Sequence, residues 1–192
     1  MTLNRCNFYS NAVYEYLDAK GSRVMIYNSS FSGTDCLESA IEFNRGQLVV
    51  EDCSFENFNA KHGSIIKFKG DNFKIRNSKF LNSKANSTGG AILAKYFPLY
   101  EVDDNDSFVY FTSEDMIIDN CTFSNVSSAS NGGAIHIDLD SGSSRVPQSL
   151  NVSNCNFTDC KYNQAPNHCS YAESGIIGQH QNTQNKQDKT YK

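Results

Sequence analysis

Residues Met116–Phe123 read MIIDNCTF and residues Leu48–Phe55 read LVVEDCSF; set one above the other, these two octapeptides decide how the chain folds. Both follow the template apolar-x-apolar-x-Asn/Asp-Cys-x-Phe. Three further copies occur, at Val24–Phe31 (VMIYNSSF), Phe73–Phe80 (FKIRNSKF) and Leu150–Phe157 (LNVSNCNF), with a truncated sixth at Leu3–Phe8 (LNRCNF). The closing phenylalanines, Phe8, Phe31, Phe55, Phe80, Phe123 and Phe157, are separated by 23, 24, 25, 43 and 34 residues. A repeat of this period belongs to a solenoid, in which no single unit can bury its apolar face alone. The first three gaps are one turn each, and the last two are one turn plus an insertion.

Within the template, apolar residues alternate with polar ones, as in Leu48 and Val50, so one strand face is buried. Phe55 falls out of phase with that alternation. The phase therefore flips at the Asn/Asp position, which marks a tight turn where Asn tolerates left-handed dihedrals. Past the turn, Cys53 and Phe55 share inward parity. Stacking the copies predicts an aromatic column and an inner amide ladder of Asn28, Asp52, Asn77, Asn120 and Asn154.

A second element follows each phenylalanine: Ala40-Ile41-Glu42-Phe43, Ile65-Ile66-Lys67-Phe68, Ala91-Ile92-Leu93-Ala94 and Ala134-Ile135-His136-Ile137. Gly89-Gly90 and Gly132-Gly133 precede two of them, where glycine permits a sharp turn and close approach. Each coil then has three short strands. The chain is expected to be all-β, a right-handed single-stranded parallel β-helix of about six coils and three parallel sheets. It would span residues 1–178 with an insertion at 96–114, and residues 179–192 (QHQNTQNKQDKTYK) are too polar to order themselves.

Gly89-Gly90-Ala91-Ile92 and Gly132-Gly133-Ala134-Ile135, each after a Phe-x-Asn (Phe80-Leu81-Asn82, Phe123-Ser124-Asn125), resemble the polymorphic outer-membrane-protein repeat. Phe8-Tyr9-Ser10-Asn11 keeps that family's full F-x-x-N spacing, and the other copies are one residue shorter. The resemblance spans roughly residues 3 to 160. It implies a pectin-lyase-like parallel β-helix displayed at the cell surface or secreted, and involved in adhesion. The chain opens inside a repeat, so a fragment of a longer repeat protein is expected. Its exposed terminal strands are expected to associate end to end.

Composition narrows the function. A formal net charge of -4 with mixed signs supplies no basic face for nucleic acid. No apolar run reaches the roughly 18 residues of a membrane span. Seven cysteines without a C-x-x-C pair do not form a zinc signature. Cys6, Cys53, Cys121 and Cys155 share one inward position with Ser29 and Ser78 and read as buried thiols, while Cys160 and Cys169 are close enough in sequence to bridge a loop.

The candidate binding face is the outward side of the second element. It carries Glu42, Lys67, Leu93 and His136, beside Asn44, Lys69, Lys95 and Asp138, with Glu42, Lys67, Lys95, His136 and Asp138 as the contact residues for a host-cell or matrix protein or a glycan. The bland alternative is a solvated face on which Glu42 and Lys67 pair. His136 with Asp138 and Asp140 is an acid–base candidate, and Asp103-Asp104-Asn105-Asp106 offers oxygen donors to calcium. The insertion's aromatic residues suit a small strand pair or a partner surface. Sequons occur at Asn28, Asn86, Asn105, Asn120, Asn125, Asn151 and Asn156. Of these, Asn86, Asn105, Asn151 and Asn156 are the expected glycosylation sites, because Asn28 and Asn120 fall on the inner ladder. No metal or other cofactor is implied. The acidic residues are scattered, with no outward column placing two carboxylates on neighbouring coils with a matching Arg or Lys. A non-enzymatic scaffold or adhesin is therefore expected ahead of a polysaccharide lyase or glycoside hydrolase.

Overall fold

A computed structural model describes residues 1–10, 17–20, 23–33, 39–60, 65–70, 72–96, 100–102, 108–110, 115–139, 149–162 and 177–181. The described chain winds through six coils of a right-handed parallel β-helix with three parallel sheets. The first sheet stacks Thr2–Asn4, Arg23–Tyr27, Gln47–Glu51, Asn72–Arg76, Asp115–Asp119 and Ser149–Ser153. The second stacks Asn7–Ser10, Ser30–Gly33, Ser54–Glu56, Lys79–Ala85, Thr122–Ser128 and Asn156–Thr158. The third stacks Leu17–Lys20, Ile41–Asn44, Ile66–Gly70, Ile92–Tyr96, Ile135–Leu139 and Ile177–Gln181. Inside the insertion, Tyr100–Val102 and Phe108–Tyr110 form an antiparallel pair.

Alternation places each strand. In Arg23–Tyr27, Val24 and Ile26 are buried while Met25 and Tyr27 face out, and the same parity buries Met116 and Ile118. The phenylalanines form one continuous pile, with ring centroids 4.6, 4.8, 5.0, 4.9 and 4.9 Å apart from Phe8 to Phe157. Interplanar angles stay within 10°. These spacings are the rise between hydrogen-bonded strands, so strand pairing itself sets the ring stack. On the third sheet, Ile41, Ile66, Ile92 and Ile135 are fully buried, and Phe43 stacks on Phe68 at 5.7 Å.

The phase flip is a left-handed corner in every coil: Arg5 (φ 55°), Asn28 (48°), Asp52 (54°), Asn77 (49°), Asn120 (51°) and Asn154 (52°). Each corner is tied across coils by backbone, as where the Asn77 N–H donates to the Asp119 carbonyl at 3.2 Å. The corner side chains, however, are exposed, which corrects the expectation of an inner ladder. A left-handed residue swings its own Cβ to the outside of the bend while its neighbours point in. The ladder is also partial: Asn120 Nδ2 donates to Asn77 Oδ1 at 2.9 Å, but Asn28 Nδ2 donates to Asn4 Oδ1 and Asn154 Nδ2 to Asp119 Oδ1.

The Phe-x-Asn motif, with Asp in the last copy, makes a second left-handed corner, at Asn57 (φ 63°), Asn82 (50°), Asn125 (53°) and Asp159 (54°). Before the third sheet, the double glycines divide their work. Gly89 and Gly132 adopt positive φ (66° and 65°), and a methyl group on Gly90 would collide with the Gly133 carbonyl oxygen.

The last third-sheet strand pairs with Ile135–Leu139 through Gln181, so the helix runs three residues into the segment expected to be a polar tail. Residues 182–192 lie outside the described residues. Among the described residues, no helix is long and apolar enough to cross a membrane.

Candidate functional site

The outward positions of the third sheet are set by strand parity, because Ile41 and Phe43 point inward and leave Glu42 and Asn44 outside. Register then builds two columns. One runs Asp18, Glu42, Lys67, Leu93, His136, and the other Asn44, Lys69, Lys95, Asp138. All five expected contact residues therefore share one face, in adjacent columns.

Four of the five are bound to one another. Lys67 Nζ lies 2.9 Å from Glu42 Oε2, and Lys95 Nζ lies 3.2 Å from Asp138 Oδ2. The Asn44 amide donates to the other Glu42 oxygen at 3.4 Å. Half-exposed pairs of this kind are worth about 0–1 kcal/mol, so they key coil to coil more than they stabilise the fold.

The fifth residue is not where an open binding face needs it. Leu93 and His136 face outward by register, yet they are only 7% and 6% exposed. That column is therefore covered at the fourth and fifth coils, which parity could not foretell, while Lys95 and Asp138 beside it stay partly exposed. Asp140 and the Asp103–Asp106 cluster lie outside the described residues. Among the described residues no three His, Cys, Asp or Glu side chains converge as a metal site.

The first sheet carries a second charged face. Glu51, Arg76 and Asp119 occupy one outward column on the third, fourth and fifth coils. Arg76 Nη1 lies 3.9 Å from Glu51 Oε1, and Lys74 beside it lies 3.2 Å from Asp115. Asp119 accepts from Ser153 Oγ at 2.7 Å and Asn154 Nδ2 at 2.8 Å. These two donors, with Arg76 nearby, hold its carboxyl below the usual 3.8. Seeking carboxylates on neighbouring coils misses this column, because its two carboxylates sit on alternate coils with the guanidinium between. The signal in the sequence is the residue just before each corner Asn or Asp.

The small column after the corner shows why cysteine and serine interchange there. Ser29 and Ser78 each donate to the carbonyl two residues earlier at 2.7 Å, and each accepts the Cys6 or Cys53 N–H at 3.2 Å. Cys53, Cys121 and Cys155 donate to the equivalent carbonyls at 3.1, 3.3 and 3.1 Å. Burial pushes the Cys53 thiol up to about 11.

All sequon asparagines among the described residues are exposed, including Asn28, Asn120 and Asn125. The outward corner thus removes the reason for setting Asn28 and Asn120 aside, and Asn86, Asn151 and Asn156 are exposed with them. Asn105 lies outside the described residues. No family model, curated protein or solved structure matches the chain.

Proposed function

We propose that the chain is a non-enzymatic, surface-exposed or secreted β-helix scaffold that acts by binding, adhesin-like. The observation that carries this reading is the fate of its outward charges. Each of the four ion pairs among the described residues, Lys67–Glu42, Arg76–Glu51, Lys74–Asp115 and Lys95–Asp138, joins consecutive coils. Charges held this way present a preorganised pattern to a host-cell or matrix protein or a glycan. They are poorly placed to exchange protons with a substrate. Exposed sequons at both corners suit passage through a secretory route.

The rival reading, a carbohydrate-active enzyme on the same fold, draws on Glu51 and Asp119. Two coils put them roughly 9.6 Å apart, at the edge of the 6.5–9.5 Å range over which inverting glycosidases place their carboxyls. Arg76 occupies the gap where such an enzyme keeps its water, which favours the scaffold. The test pairs two assays on the folded protein. Incubation with pectin-like polymers should release neither unsaturated sugars nor new reducing ends, and an array of glycans and matrix proteins should return a ligand whose binding weakens in Glu42→Ala/Lys67→Ala. Polymer turnover abolished by Glu51→Gln would replace the scaffold reading with the enzyme.

A further inference from the structure

Followed from coil to coil, the small inward column reads Cys6, Ser29, Cys53, Ser78, Cys121 and Cys155. Through the first four coils every thiol is stacked against a hydroxyl. Between the fifth and sixth coils two thiols are stacked on each other. Register fixes this pairing, since Asp119 opposes Ser153 and Thr122 opposes Asn156 on either side. The backbone clamps it from both flanks: the Asn120 N–H donates to the Ser153 carbonyl at 3.1 Å, and the Asn156 N–H to the Cys121 carbonyl at 2.9 Å. Like positions on paired strands lie about 4.8 Å apart, inside the roughly 4.4–6.8 Å Cα separation of disulfides. Both side chains point into the coil. Cys121 is buried and Cys155 is half-buried, so the latter is open to a small reagent.

We propose that Cys121 and Cys155 form an oxidisable dithiol, whose substrate is a low-molecular-weight disulfide and whose product is a covalent staple between the fifth and sixth coils. This chemistry is independent of whether the chain acts as a scaffold. The two thiols are unequal. Hydrogen bonding to Cys121 holds Cys155 down at about 7, while the same bond and burial push Cys121 up. Cys155 is also the one of the two that a small reagent can reach, which makes it the attacking thiolate. It displaces one half of the small disulfide as a thiolate and forms a mixed disulfide with the other half. Cys121 gives its proton to the departing thiolate and attacks the Cys155 sulfur, releasing the second half as a thiolate that takes a proton from water. Two protein thiols are oxidised and one small disulfide is reduced to two thiols. The staple closes a covalent ring between Cys121 and Cys155 and ties the sixth coil to the fifth.

The test treats the reduced full chain with oxidised glutathione and maps its peptides by mass. Wild type should yield a Cys121–Cys155 cross-linked peptide lighter by two hydrogens. Cys121→Ser should instead retain a glutathione adduct on Cys155, and Cys155→Ser should leave Cys121 unmodified. Serine already stands in this column at Ser29 and Ser78, so both variants keep the local fold. The proposal is overturned if both wild-type thiols stay reduced, if Cys155 keeps its adduct unresolved, or if either cysteine links elsewhere. Each of these outcomes is read from the wild-type map alone.

Discussion

The inner coils and the two outer ones are built from the same template but bury it differently. Phe31, Phe55, Phe80 and Phe123 are at most 1% exposed, whereas Phe8 and Phe157 stack at the same distances and remain half-buried. The corner dihedrals match as well, from Arg5 in the first coil to Asn154 in the sixth. The geometry of a coil is therefore local, and its energetic weight comes from having a neighbour on both sides.

The largest test of that contrast is truncation of one ring in each place. Phe80→Ala should cost about 3–5 kcal/mol, as for a fully buried phenylalanine, and Phe157→Ala less than half as much. Urea unfolding midpoints measure both, and equal losses would mean that outer coils carry the same load as inner ones. Next comes the close approach at Gly90. Its added methyl would meet the carbonyl oxygens of Gly133 and Ser127, and neither is a flexible side-chain end. Gly90→Ala should lose about 1–3 kcal/mol, read as a lower midpoint with unchanged slope.

The corners should give a smaller effect. Asn77→Ala places alanine at φ 49° and removes the acceptor of the Asn120 amide, for a loss of about 1–2 kcal/mol. Arg5→Asn in the first coil should raise the midpoint, because arginine there holds a left-handed corner that asparagine tolerates better. The smallest effect is a pH dependence at the sixth coil. Asp119 is held below 3.8 by donors from Ser153 and Asn154, so its contribution is present above that value and is lost as pH falls through the lower folded value. The thermal midpoint of wild type should fall more steeply with acid than that of Asp119→Asn, and parallel curves would show that the contact adds nothing to the outer coil.

Much of this architecture was legible along the chain. The phase flip between Val50 and Phe55 located the corner, and the periodic phenylalanines gave the ring column. The direction of the corner side chain was not legible, because parity says which neighbours oppose each other and is silent on a residue whose backbone is left-handed. Parity alone sets Asn28 and Asn120 inside for that reason. Column membership of Glu42, Lys67, Lys95, His136 and Asp138 was likewise countable, but the closure over Leu93 and His136 was not. The stacked Cys121 and Cys155 could be counted from the same alignment, since their separation is one coil.

The amino-acid order alone determined the coil: which residues alternate, where the chain bends, and which side chains recur at each level. It could do so because those choices depend on neighbours a few residues away and on a repeating strand spacing. The folded stack decided how deeply each level is buried and which outward charges meet. Those depend on what lies above and below, at distances set by winding some 23 to 46 residues of chain around the core.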